Sequence, residues 1–178
     1  MDEKAEDEGE QSCVVQGCVP EHLVAAEMAA CVAIVREGKA VGAEAAARGL
    51  PRARLLGVVR KGRQVVGVGA IKRPRPGYDA AKKVAKRSGH EFPADPPELG
   101  YVAVDPEHRG NHLSPKIVAA LLAERQGPLF ATTDCKRMKT VISKAGFVHK
   151  GNEWKGNRGQ LSLWLKDRER RGLCAGRR

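Results

Sequence analysis

Residues 98–122 read ELGYVAVDPEHRGNHLSPKIVAALL. Glu98 to Val104 is rich in β-branched and aromatic residues, which predicts a strand. Ile117, Val118, Leu121 and Leu122 recur at helical spacing, predicting a helix to about Glu124. Ser114 followed by Pro115 predicts how that helix opens, with serine as N-cap and proline as the first helical residue. A strand that passes through a loop into a helix aims several main-chain N–H groups, and the positive end of the helix dipole, at one spot. Such a spot is a ready anion site. Gly110 permits close backbone approach, and His108, Arg109 and Lys116 can add positive charge.

The flanking sequence extends the pattern in both directions. Upstream, Cys13 to Val19 predicts a short first strand, and Leu23, Ala26, Ala30, Ala33 and Ile34 continue with helical spacing after Pro20. A second helix is expected over Gly42 to Arg48, ending near Gly49. Leu55 to Val59 and Gln64 to Ile71 form a hairpin about a Lys61-Gly62 turn. Residues 73–97 hold Pro74, Pro76, Pro93, Pro96 and Pro97 and read as an insertion with a basic helix over Tyr78 to Arg87. Downstream come a strand over Pro128 to Thr133, a helix over Lys136 to Lys144 stopped by Gly146, and two strands near Phe147 to Lys150 and Gln160 to Leu165. The last two flank a glycine-rich turn that includes Trp154. This order predicts an α/β domain on a mixed sheet.

The 178 residues suit one domain, expected over 13–166 between an acidic tail at 1–12 and a basic tail at 167–178. Aromatics are only 4% of a chain that is 42% hydrophobic, so Val, Leu, Ile and Ala must build the core. Residues 1–10 carry six acids against one lysine, so a net charge of +11 leaves +16 on the remaining 168 residues. A body that basic attracts polyanions, whether nucleic acid or a cofactor bearing phosphates. No apolar run approaches the ~20 residues of a membrane span, and the acidic N-terminus is unlike a secretory leader. A cytoplasmic protein is expected, as monomer or homodimer. The five cysteines form no C-x-x-C pair, so no metal site is expected and the thiols, Cys135 included, are expected to be buried or idle.

The segment from Val102 to Gly110, V-x-V-D-P-E-H-R-G, resembles motif A of the GNAT superfamily of acetyl-CoA-dependent N-acetyltransferases. The family pattern is Gln/Arg-x-x-Gly-x-Gly/Ala, with Arg109 at its first position. His112 and Ser114 stand where the family prefers glycine or alanine. Phe130-Ala131-Thr132-Thr133, a helix, Lys144-Ala145-Gly146-Phe147 and a final strand pair continue the likeness over most of residues 13–166. The resemblance implies a mixed, mostly antiparallel central sheet flanked by helices on both faces. It further implies that the amides of Gly110, Asn111, His112, Leu113 and Ser114 face the pyrophosphate of acetyl-CoA, with Arg109 and Lys116 nearby. Val102, Ala103 and Val104 would pair with the pantetheine arm.

Acetyl transfer to an amine needs a neutral nucleophile, a polarised carbonyl and a proton for the departing thiolate. Glu98 looks like the glutamate base of the histone-type branch, and a strand amide near Val102 is expected to meet the oxyanion. The family's usual tyrosine acid is replaced by Ile142, leaving Tyr101 or water as proton donor. Trp154 is a candidate wall of the acceptor pocket. The leading expectation is acetyl transfer to a small-molecule or peptide amine in a ternary complex. Arg73, Arg75, Lys82, Lys83, Lys86 and Arg87 motivate a second expectation, an RNA-directed enzyme or nucleic-acid-binding protein. The missing tyrosine motivates a third, a coenzyme A-binding protein without catalysis.

Overall fold

Alternating Val and Gly over residues 55–71 build the centre of the sheet: β2 (Leu55–Lys61) and β3 (Gln64–Ile71) pair antiparallel about a turn at Gly62. The computed structural model describes residues 12–74, 80–91, 96–125 and 127–167. The elements before the hairpin are β1 (Cys13–Cys18), a 3-10 turn (Pro20–His22), α1 (Ala25–Glu37) and α2 (Ala43–Gly49). After it come α3 (Ala80–Ser88), β4 (Glu98–Val104), a 3-10 turn (Pro106–His108), α4 (Leu113–Ala123), β5 (Leu129–Thr133), α5 (Lys136–Lys144), β6 (Val148–Lys155) and β7 (Gln160–Lys166). The seven strands lie in the order β1-β2-β3-β4-β5-β7-β6. Every neighbouring pair is antiparallel except β4 and β5. This is the mixed sheet that the order of elements predicted, in the mostly antiparallel form with helices on both faces that the resemblance implied.

Two apolar clusters cover the two faces. Val102, Val104 and Leu99 of β4 join Leu113, Ile117, Val118 and Leu121 of α4, together with Ile142 of α5. Tyr101 and Ala103 join Cys31, Ile34 and Val35 of α1 and Ala46 of α2 on the opposite face. A third, smaller cluster seats α3, where Ala81 and Val84 meet Phe130, Leu163 and Leu165. Phe130 alternates with Leu129 and Ala131, which pack toward α4 and α5, so α3 shares the α1/α2 face. The insertion helix therefore covers the β5-β7-β6 half of that face. Residues 75–79 and 92–95 of the insertion, and the two tails apart from Ser12 and Asp167, lie outside the described residues.

α4 sits directly on glycine. Gly57 and Gly69 are cross-strand partners. A Cβ on Gly69 would come within 2.6 Å of Ile117 Cγ2, and one on Gly57 within 3.1 Å of Leu121 Cγ. The missing side chains let the helix descend until Ile117 and Leu121 are wholly buried, each worth about 1.5–3 kcal/mol of transfer free energy.

Two sequence expectations need correction. The helix after the loop begins at Leu113, not at Pro115, with His112 as N-cap in the left-handed region (φ 53, ψ 33). Leu113, Ile117 and Leu121 lie four residues apart and are all buried, so the apolar stripe draws the first turn back past Ser114. Pro115 thus falls within the first turn, where no helical carbonyl requires its missing N–H. The last hairpin also differs: β6 runs on to Lys155, with Trp154 opposite Leu161 after an irregularity following Lys150. Trp154 is a strand residue packed near α3, not a turn residue.

Candidate active site

β4 and β5 are parallel neighbours, yet they pair only at Glu98↔Phe130 and Leu99↔Ala131. Beyond those positions the strands part. On its other side, β4 shifts register against β3: Val68 faces Ala103 but Ala70 faces Gly100, so Gly69 opposes both Tyr101 and Val102. Tyr101 takes φ 56 to accommodate this bulge, a conformation costly for a non-glycine residue and kept only where surroundings impose it. Buried contacts do so here. The Tyr101 hydroxyl donates to Ala45 O at 3.2 Å, and the residue is 8% exposed, packed with α1 and α2. Tyr101 and Val102 thus share one residue of β3 across the bulge and have no partner in β5. The bulge and the parting together open the sheet at its middle.

The loop after β4 is tied down by its own side chains. Asp105 accepts from the Glu107 N–H at 3.0 Å and lies 3.4 Å from His108 Nδ1. Arg109 Nε donates to Val104 O at 3.2 Å, folding that side chain against the strand end. Asn111 Nδ2 donates to His108 O at 3.1 Å. Gly110 takes φ 91 and His112 φ 53, so the chain coils tightly before α4. Among the described residues, the main-chain N–H groups of Gly110, Asn111, His112, Leu113 and Ser114 donate to no protein acceptor. Successive N–H groups free of protein acceptors at a helix N-terminus make an anion cradle. The exposed His112 ring leaves the buried side to Leu113.

A cleft of about 1830 Å³ runs through the opening, lined by Gly100 to Val104, the loop from His108 to Pro115, and β5 residues Ala131 to Thr133. It reaches both faces, touching α5 at Met138 and Val141, α1 at Val35, α2 at Gly49 and the connection between them at Val41. An anion cradle thus stands at one end of a groove that runs beside the part of β4 left unpaired by β5.

Glu98 stands on the α1/α2 face, opposite to Leu99, at the cleft's inner end. Its Oε1 is 2.8 Å from Lys72 Nζ, with both side chains largely buried. Lys72 continues from the end of β3, and its N–H donates to Glu98 O at 2.8 Å. Its side chain crosses β4 over Gly100, where a Cβ would meet Lys72 Cε at 2.5 Å, and ends 4.6 Å above the Tyr101 ring. The sequence reading missed Lys72. The 73–97 insertion separates it from Glu98, and only the β3–β4 register brings them together.

Of the remaining predicted groups, Tyr101 lines the cleft and donates its hydroxyl to Ala45 O. Lys116 is exposed in the second half of α4's first turn. Trp154 and Leu161 line the cleft beneath α3. Ile142 is 1% exposed in the core. Cys135, expected to be buried, is exposed as the N-cap of α5 and lines the cleft, because Thr133 Oγ1 accepts its N–H and turns the chain outward there. Arg158, in the β6–β7 turn, was also missed. It forks onto Asp134 at 2.7 and 3.2 Å and donates to Gly38 O at 3.3 Å, tying that turn to the end of α1. Among the described residues no His, Cys, Asp and Glu cluster could hold a metal ion, and no helix is long and apolar enough to cross a membrane.

Neither a protein-family profile nor a curated protein sequence matches the chain. Solved structures do. Escherichia coli ElaA superposes with TM-score 0.63 at 11% identity, over 88% of this chain and 100% of that one. An acyl-CoA N-acyltransferase from Pseudomonas aeruginosa gives 0.60 at 11%, over 87% and 99%. A GNAT-family acetyltransferase from Streptococcus agalactiae gives 0.59 at 13%, over 87% and 96%. At these identities the likeness is one of fold, and it extends over nearly the whole of each chain. The seven-stranded sheet with its helices is accordingly a GNAT fold.

Proposed function

We propose that the protein transfers an acetyl group from acetyl-CoA to a primary amine by direct attack in a ternary complex. The observation that carries this reading is the conjunction of the open β4–β5 junction with the acceptor-free amides of residues 110–114. In this reading those amides, with the α4 dipole, hold the pyrophosphate, and Arg109 and Lys116 add charge beside it. Val102 to Val104 lie along the pantetheine arm. Acetyl-CoA supplies a thioester carbonyl, and the bulge at Tyr101-Val102 supports an N–H donor for the oxygen that gains negative charge.

Glu98 takes the proton from the attacking amine, directly or through a water. One of its oxygens is engaged with Lys72, which fixes the plane of the carboxylate. The amine nitrogen bonds to the carbonyl carbon, the C–S bond breaks, and the sulfur leaves with its electron pair. No side-chain acid stands at Ile142, and none is needed. A thiol ionises near pH 8.5, so the thiolate is a competent leaving group that takes its proton from water.

Acetyl-CoA is expected to raise Tm, and thiol release in the presence of an amine panel is expected to be slowed by Glu98→Gln while the Tm shift persists. An unchanged Tm at saturating acetyl-CoA overturns the assignment.

A further inference from the structure

The side of the cleft away from the anion cradle is strongly basic. The cradle and Lys116 belong to α4 and its loop, on one face of the sheet; Arg137 and Lys144 of α5 share that side. On the other face, where Glu98 stands, the cleft is lined by Lys72, Arg73, Lys83 and Arg87. The carboxylates there are committed: Glu98 to Lys72, and Asp134 to Arg158. Arg73 is exposed just beyond the Lys72–Glu98 pair, and Arg87 is exposed on the last turn of α3. Among the described residues neither is paired with a carboxylate. α3 is held by Ala81 and Val84 against Phe130, Leu163 and Leu165, so its basic side is presented by a packed element. Across the cleft, Arg158 ties the β6–β7 turn to Gly38 and bounds the space from the α1 side. Among the described residues, Glu21 is the remaining acid along this lining.

We propose that the acceptor is an anionic amine, a small molecule that carries a carboxylate or phosphate monoester beside its primary amine. This rests on the acyl-transfer reading above. Arg73 and Arg87 hold the anionic group, and the amine then points down toward Glu98 and the opening between β4 and β5. A diamine or polyamine meets like charge at the same place and is rejected. The arginines are not a second clamp for the coenzyme phosphates, because the amide cradle for those lies on the opposite face.

The test is thiol release from acetyl-CoA with matched acceptors: glutamate against glutamic acid diamide, O-phosphoserine against serinamide, and spermidine as polycation. Wild-type protein is expected to favour each anionic member in kcat/KM by about 10- to 100-fold, the range for one charge-assisted hydrogen bond. Arg73→Glu and Arg87→Glu are expected to collapse that ratio through KM, while the Tm shift with acetyl-CoA persists. Lys61→Glu, at the far end of β2, serves as the charge-matched control and keeps the ratio. Preference for spermidine or for the neutral members, or a ratio that survives the double arginine variant, overturns the anionic acceptor. Silence with every acceptor while acetyl-CoA still raises Tm overturns it too, but leaves the cofactor site standing. Acetyl incorporation into RNA in place of small amines overturns it likewise. Silence without any Tm shift sinks the acyl-transfer reading itself, and this inference with it.

Discussion

Gly69→Ala tests how the anion cradle is positioned. The added Cβ would lie 2.6 Å from Ile117 Cγ2, 3.2 Å from Val102 Cγ2 and 3.3 Å from Leu121 Cδ1. Carbon atoms pack best at about 3.5–4.0 Å, so the closest contact needs roughly 1 Å of relief. Ile117 cannot supply it by rotation, since a β-branched residue in a helix has one strongly preferred χ1. Gly57, directly opposite, places no side chain that could yield. α4 must therefore lift. Overpacking of this kind costs about 1–3 kcal/mol, which for a chain of this size lowers Tm by about 2–4 °C per kcal/mol, or roughly 2–12 °C in all. Because the first turn of α4 carries the amides of Leu113 and Ser114, the same lift misaligns the cradle, and the Tm gain from acetyl-CoA is expected to shrink. Differential scanning fluorimetry with and without acetyl-CoA reads both effects. Gly42→Ala is the control, since its Cβ meets nothing within 4 Å, and it is expected to stay within about 0.5 kcal/mol of wild type. A Gly69→Ala protein within about 1 °C of wild type, with its acetyl-CoA shift intact, would refute the close seating of α4 on the hairpin.

Four further outcomes are expected. Gly100→Ala puts a Cβ 2.5 Å from Lys72 Cε, so the lysine swings away from Glu98; kcat for thiol release should fall up to about 100-fold, within the range of general-base catalysis, as it should in Lys72→Met, while acetyl-CoA still raises Tm. Burial pushes the Cys31 thiol up to about 12, against 9.0 for its ordinary value; the unfolded chain loses that proton first, so stability should decline from about pH 9 upward by at most ~1.4 kcal/mol per unit, and urea titrations of Cys31→Ala should show a flatter alkaline limb. In native protein at pH 8, iodoacetamide should label exposed Cys135 and spare Cys31, with acetyl-CoA slowing the labelling of Cys135; equal labelling of both would contradict the burial of Cys31. Arg158→Ala frees the β6–β7 turn from Asp134 and Gly38; the acceptor KM should rise while stability changes by less than about 1 kcal/mol in denaturant titration, as suits a pair at the surface.

The sequence by itself determined what depends on neighbouring residues. Strand-forming composition over Gln64–Ile71 and Glu98–Val104, and the stop at Gly146 after Lys136–Lys144, mark those elements at their observed bounds. The strand-loop-helix around Arg109 and Gly110 was legible for the same reason, since a turn and a helix start are local events. Ser114 failed as N-cap because burial of Leu113, a tertiary contact, outweighed the local preference of serine. Trp154 was assigned to a turn because nothing near it reveals that Leu161 across the hairpin extends the strand. Only the tertiary structure decided the chemistry-bearing geometry: the left-handed Tyr101, the parting of β4 from β5, Lys72 on Glu98, and α3 over the far half of the sheet. Each is fixed by strand register and by packing between segments tens of residues apart, and neither quantity is written in the pattern of any single segment.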